Sequence, residues 1–178
     1  MTQYDGGCAP ILRAKSFDSS SEFTPESLLR EARRQKALEE APVPAICVLD
    51  PDGDIVRQLR ATGRASRDPA WGCYHSDLYR FEHGGREYGI IGCAVGASYA
   101  VLVAEQMFVS GCGLLVSMTS SGQITALRSP PYFILIEKAL RDEGTSYHYL
   151  PPSEYSQADA DLVELVAAGL SGLGTASD

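Results

Sequence analysis

The chain has 178 residues, the size of one ordinary domain, and 44% of them are hydrophobic against 21% charged. That is enough apolar material for a sizeable core, and it excludes a disordered or collagen-like chain. Fifteen Lys and Arg against 23 Asp and Glu leave a net charge of −8, which disfavours binding to nucleic-acid backbones or anionic membranes but allows a local basic pocket for one small anion. Residues 1–22 are largely polar, without an apolar core of signal-peptide length. The longest apolar stretch, residues 95–109, is interrupted by Ser98, Glu105 and Gln106 and is too short and polar to span a bilayer. Cys8, Cys47, Cys73, Cys93 and Cys112 are odd in number and never spaced C-x-x-C, which argues against a disulfide framework or a structural zinc site. The expectation is a cytoplasmic, soluble protein.

In chain order, a loose arm with Ser19, Ser20 and Ser21 leads to Thr24-Pro25-Glu26, a good helix start. Leu28, Leu29, Ala32 and Ala37 give that helix only a thin apolar stripe, as expected of a surface helix or one docked on a partner subunit. Residues 1–40 therefore read as an arm plus surface helix, and residues 41–178 as the main α/β domain. Residues 45–49 form an apolar run of strand length, followed by Asp50-Pro51-Asp52-Gly53. From Asp54 the apolar residues recur at helical spacing until Gly63. Residues 78–82 and 88–93 flank His83-Gly84-Gly85-Arg86, a hairpin signal. Residues 97–110 predict a largely buried helix, 114–118 a strand, 133–141 a helix, 146–150 an extended segment and 158–170 a final amphipathic helix. This alternation predicts a three-layer α/β/α fold with a mixed, mostly parallel central sheet and one antiparallel hairpin.

In such sheets, ligands sit beyond the carboxyl ends of the strands. Two segments have the right form. Gly53-Asp54-Ile55-Val56-Arg57 places a glycine at a helix entrance and an arginine one turn later, a pattern that serves an anion and equally a plain turn with a solvent-facing arginine. Ser117-Met118-Thr119-Ser120-Ser121-Gly122 runs hydroxyls into a glycine after a strand, suited to phosphate or sugar oxygens and equally to a capped loop. Cys73, Tyr74 and His75 lie together without any sign of an activated thiolate. His148, between Tyr147 and Tyr149, reads as a packed histidine, and the three scattered histidines make no metal constellation. Asp159, Asp161 and Glu164 read as the solvated face of the last helix.

Taken in order, these segments resemble the nucleoside phosphorylase family, in the branch of uridine and purine nucleoside phosphorylases. Gly53-Asp54-Ile55-Val56-Arg57 is similar to the family's Gly-Asp-Pro-x-Arg phosphate loop, without the Pro. Gly92-Cys93-Ala94-Val95-Gly96-Ala97-Ser98 stands at its glycine-rich turn, and residues 117–122 at its Arg-x-Gly-Thr-Thr-Gly strand end. Asp142-Glu143-Gly144-Thr145-Ser146-Tyr147-His148-Tyr149 with Pro151-Pro152 resembles its Asp-Gly-x-Ser segment.

The resemblance covers about residues 41–169. It implies phosphorolysis of a nucleoside to free base and ribose 1-phosphate, a pentosyltransferase (glycosyltransferase) reaction in nucleoside metabolism. No cofactor is implied beyond inorganic phosphate as co-substrate. By the same resemblance Gly53, Arg57 and Ser120 bind phosphate, while Thr119, Ser121, Gly122 and His75 contact the substrate. Ser117 replaces one family arginine, and a second falls near Tyr74. The family's Glu-Met-Glu ribose clamp lies beyond residue 178, so the fold is expected to be incomplete at its C-terminal end. A homo-oligomer, a dimer or higher, is the expected assembly, with no nucleic-acid or membrane partner. Two alternatives stand beside the phosphorylase: a catalytically deficient scaffold binding a nucleoside, base or partner protein, and a nucleosidase-like hydrolase in which water replaces phosphate.

Overall fold

Thr24 and Pro25 open the first helix as their chemistry requires. In the computed structural model, which describes residues 12, 15–126 and 129–172, α1 (Pro25–Lys36) has Pro in its first turn, and the Thr24 hydroxyl accepts from the Ser27 amide at 3.3 Å. Its thin apolar stripe is used within the chain: Leu29 and Ala32 are buried, and α1 packs against α3 (Ala97–Val109). Most of the arm ahead of α1, and residues 173–178, lie outside the described residues.

Residues 20–122 form one compact unit around a five-stranded sheet. Its elements are β1 (Ile46–Asp50), α2 (Asp54–Ala61), β2 (Ala65–Arg67), β3 (Tyr79–His83), β4 (Arg86–Gly92), α3 and β5 (Leu114–Ser117). The strand order is β2-β3-β4-β1-β5. At the centre β1 runs parallel to both β4 and β5, with Cys47 opposite Gly89 on one side and Leu115 on the other. The β3–β4 hairpin and short β2 extend the sheet antiparallel. The hairpin turns on Gly84 and Gly85, with φ of 58° and 72°, the left-handed pair that matches strand twist and that glycine adopts without cost.

Strand alternation divides the core into two faces. Cys47, Leu49 and Ile91 pack on one side with Leu78, Trp71 and the α3 residues Val103 and Met107. Ile90 and Tyr79 pack on the other with Val56 and Leu59 of α2. Helices on both faces of a sheet that is parallel at its centre give the three-layer α/β/α arrangement.

The described parts of residues 1–19 and 123–178 form a second unit. Here β6 (Lys138–Leu140) pairs antiparallel with β7 (Tyr155–Gln157), and α4 (Ala160–Gly172) follows. The Asp159 carboxylate accepts from the Leu162 amide at 2.9 Å in the first turn of α4. Two expectations are corrected in this unit. Residues 133–141 are not helical: only Lys138–Leu140 is regular, as β6. Phe133, Ile134 and Ile136 favour extended backbone, and pairing with β7 takes up backbone groups that a helix would bond internally. Residues 146–150 are not extended, because Ser146–His148 is a turn of 3₁₀ helix. The Glu143 carboxylate accepts from the Thr145 amide at 2.6 Å and the Ser146 amide at 3.1 Å, which bends the chain. Buried Arg141 then draws it round, donating to the Pro151 carbonyl at 2.6 Å and the Leu150 carbonyl at 3.1 Å.

Candidate functional site

Beyond β1 the chain enters α2 on one face of the sheet, and beyond β4 it enters α3 on the other. Where adjacent parallel strands send their chains to opposite faces, a crevice opens at their carboxyl ends. The two segments singled out from the sequence, residues 50–57 and 117–122, both border this crevice.

Asp50, the last residue of β1, is 1% exposed. Its carboxylate accepts from the Gly53 amide at 3.0 Å and the Val56 amide at 2.9 Å. Gly53 stands at the N-cap of α2 and has no side chain to cap with, so Asp50 satisfies first-turn donors in its place. The Gly53 amide also bonds the Asp50 carbonyl at 2.9 Å, so it points inward. What Gly53 contributes outward is room. Its φ is +73°, and a Cβ there would lie 2.7 Å from the Cys93 Sγ and 2.9 Å from Arg57 Nη1. The Arg57 guanidinium and the Cys93 thiol therefore both flank Gly53.

Cys93 is exposed at the end of β4 with φ of 63°, a left-handed conformation uncommon for a residue other than glycine. Its amide donates to the Asp50 carbonyl at 2.8 Å, which ties the ends of β4 and β1 together. On the other side of β1, the Ser120 amide donates to the Asp52 carboxylate at 2.6 Å and joins the β5 loop to the β1 loop. That bond, chiefly, holds the Asp52 carboxyl below its ordinary range; the Ser120 hydroxyl, the Thr119 hydroxyl and the Arg57 charge add to the effect against a small opposing desolvation. Arg57 is also ion-paired with Asp54 on the outer turn of α2.

Gly53, Arg57, Thr119 and Ser120 are thus brought together. Residues 117–122 are exposed, and Ser121 and Gly122 continue the same loop outward. His75 is placed elsewhere: its backbone carbonyl accepts from the Tyr99 hydroxyl at 2.6 Å in the first turns of α3, and its ring lies 6.1 Å from that of Tyr74. Burial, then the nearby Cys73 and Cys93 thiols, raise the Tyr99 hydroxyl above its usual pKa. His75 is therefore anchored towards the β4–α3 turn and not to the Ser120 loop.

Sequence reasoning missed Asp50, Asp52 and Cys93. For the aspartates a signal existed: Asp50, Asp52 and Asp54 alternate through the loop, more carboxylate than a simple turn needs. For Cys93 the sequence offered only its place in the glycine-rich turn of residues 92–98, since its positive φ and its approach to Gly53 arise from the packing of β4 against β1. Among the described residues, no group of three or more His, Cys, Asp or Glu is placed to hold a metal ion. No helix among them is long and apolar enough to cross a membrane. Two surface clefts lie away from the crevice, one lined by Arg64 and Arg80 and one along α1 lined by Arg30, Arg33 and Arg34.

Comparison with known proteins agrees with this fold. The solved uridine phosphorylase from Vibrio fischeri ES114 is 18% identical, with a TM-score of 0.59 over 76% of this chain and 56% of its own. The same enzyme complexed with 6-hydroxy-1-naphthoic acid gives 17% and 0.61, over 78% and 59%. Purine nucleoside phosphorylase from Toxoplasma gondii, in complex with immucillin-H, is 12% identical with a TM-score of 0.56, over 76% and 54%. These likenesses establish the fold, and the chain spans little more than half the length of those relatives. No curated protein sequence matches the chain. Residues 45–176, which include both site loops, match the profile of the phosphorylase superfamily, and the chain belongs to that superfamily.

Proposed function

We propose that the protein acts on nucleosides at the carboxyl ends of β1, β4 and β5, in the family's reaction of phosphorolysis to free base and ribose 1-phosphate. The observation that supports this reading is the Ser120–Asp52 bond, which ties the β5 loop carrying Thr119 and Ser120 to the β1 loop carrying Gly53, just ahead of Arg57. In this reading Arg57, Ser120 and the space over Gly53 receive phosphate. Thr119, Ser121 and Gly122 line the base and sugar side, and His75, anchored through Tyr99 towards the β4–α3 turn, is a substrate contact from that separate position. The reaction passes through an electron-poor sugar between an anionic nucleophile and a leaving base, so positioning and charge stabilisation supply the catalysis. The co-substrate is inorganic phosphate, and no other cofactor is invoked. The setting is cytoplasmic nucleoside metabolism, and the working form is a homo-oligomer; exposed Phe133, Ile134 and Ile136 support association with a second copy. A monodisperse monomer by light scattering would overturn the oligomer.

A second reading, a nucleosidase-like hydrolase, is favoured by one observation. Arg57 is paired with Asp54, and the Ser120 amide is taken by Asp52, so the donors that phosphate would use already have carboxylate partners. Uridine and inosine, each incubated with and without phosphate while base release is followed, separate the two. Release that depends on phosphate supports phosphorolysis, and equal release without it supports hydrolysis. No release, with saturable nucleoside binding by calorimetry, leaves a binding scaffold.

A further inference from the structure

The Ser120 amide, which donates to the Asp52 carboxylate at 2.6 Å, is one of the groups that a bound phosphate would need. The Thr119 hydroxyl stands on the same loop and donates to the Ser120 carbonyl at 3.3 Å, and the Arg57 guanidinium lies beside Gly53 and pairs with Asp54. An aspartate carboxylate and a phosphate oxygen pair accept hydrogen bonds from the same donors with similar geometry, so the two compete for one set of partners. The carboxylate is tethered, and its effective concentration at those donors exceeds that of dilute phosphate in solution. Neighbouring carboxylates increase the bias: Asp54 pairs with Arg57 from the solvent side, and buried Asp50 lies behind the same loop. Against these, Arg57 is the cation that the site geometry supplies.

We infer that Asp52 is an internal competitor for phosphate. It occupies the Ser120 amide between the β1 and β5 loops, and phosphate enters only when Asp52 releases that amide. This rests on the proposal that those loops form a phosphate site. Asp52 is here a residue that sets which nucleophile the site accepts, acting by occupying donors and not by touching substrate. No bond is made or broken in the exchange; one acceptor replaces another. It also accounts for the exposure of the loop, since an exposed carboxylate can swing away without disturbing the core.

The test is calorimetric titration of the full chain with sodium phosphate at low ionic strength and neutral pH. Asp52→Asn keeps the shape of the side chain and removes its charge, while Asp52→Ala removes both. Near-ultraviolet circular dichroism confirms that each variant keeps the wild-type fold. Both variants are expected to bind phosphate at least tenfold more tightly than wild type, and adding Arg57→Gln to Asp52→Ala is expected to abolish the gain. If phosphate binds wild type and both Asp52 variants equally, and Arg57→Gln weakens all three, the phosphate site stands and the inference about Asp52 is overturned. If no variant shows phosphate binding that depends on Arg57, the phosphate-site reading falls and the inference falls with it.

Discussion

Replacing Asp50 tests how the site loop is held in shape. Its carboxylate accepts from the amides of Gly53 and Val56 at 3.0 and 2.9 Å, and the residue is 1% exposed. Hydrogen bonds to a charged group contribute about 1.5–3 kcal/mol each, and buried amides left without partners cost a comparable amount. Asp50→Ala loses both bonds but no longer buries a carboxylate, which returns part of the loss, so the net destabilisation is about 2–3 kcal/mol. Asp50→Asn keeps one acceptor oxygen and turns a donor towards an amide, for a loss of about 1.5 kcal/mol. For a chain of this size those losses lower Tm by about 3–10 °C.

Urea unfolding followed by Trp71 fluorescence is the assay. Trp71 is the single tryptophan, lies 4% exposed in the core beside α3, and belongs to the unit that carries the site. Hydrogen exchange gives the local readout, because the Gly53 and Val56 amides should lose protection in Asp50→Ala beyond the global change. A loss under about 0.5 kcal/mol is well below what even one such bond contributes and refutes the capping argument. So does unchanged protection at those two amides.

Gly53→Ala forces a side chain into left-handed backbone, with Cβ 2.7 Å from the Cys93 Sγ. It should cost about 1–2 kcal/mol, measured by the same unfolding, and Cys93→Ala should relieve part of that cost in the double variant. Arg80 donates to Asp68 at 2.7 Å, to Glu87 at 2.9 Å and to the Pro42 carbonyl at 2.5 Å, while Asp68 is only 5% exposed. Breaking a fully buried pair costs about 3–5 kcal/mol, so with the guanidinium partly exposed Arg80→Met should cost about 2 kcal/mol by urea titration, and a neutral result would sink this account. Among the described cysteines, exposed Cys93 should be alkylated first in the native protein, as mapped by mass spectrometry, ahead of buried Cys47, Cys73 and Cys112. Burial, with Cys112 beside it, pushes the Cys47 thiol from 9.0 up to about 12. Because the folded value lies above the unfolded one, the stabilising difference is complete below about pH 9 and is lost as pH rises through about 12. Stability should therefore fall across that interval in wild type and fall less in Cys47→Ala.

Local chemistry carried much of the fold. Thr24-Pro25 started α1, Gly84-Gly85 turned the hairpin, and the apolar runs before Asp50 and Ser117 became β1 and β5, because capping, left-handed turns and strand burial act within a few residues. Residues 133–141 failed for the opposite reason. Their apolar spacing is compatible with a helix, and the antiparallel pairing of Lys138 with Gln157 decided for a strand. Residues 146–150 failed likewise, since their path depends on Arg141 gathering carbonyls up to ten positions away. The site was legible as two loops, through the glycine, arginine and hydroxyl pattern of residues 53–57 and 117–122. Which groups face each other was not.

The sequence by itself determined the layered α/β class, the two strand-end loops and the resemblance to the family, because these depend on local pattern and order. Only the tertiary structure decided that Asp52 faces the Ser120 loop, that Asp50 caps α2 from below, and that Cys93 closes over Gly53. The Asp52–Ser120 and Cys93–Gly53 contacts join loops that follow different strands and depend on the parallel register of β1 with β4 and β5, while the Asp50 cap closes within six residues and depends on the turn from β1 into α2. A net charge of −8 marked the chain as a poor host for anions in general. The fold brings that general property to a point, with one carboxylate set among the donors of the proposed anion site.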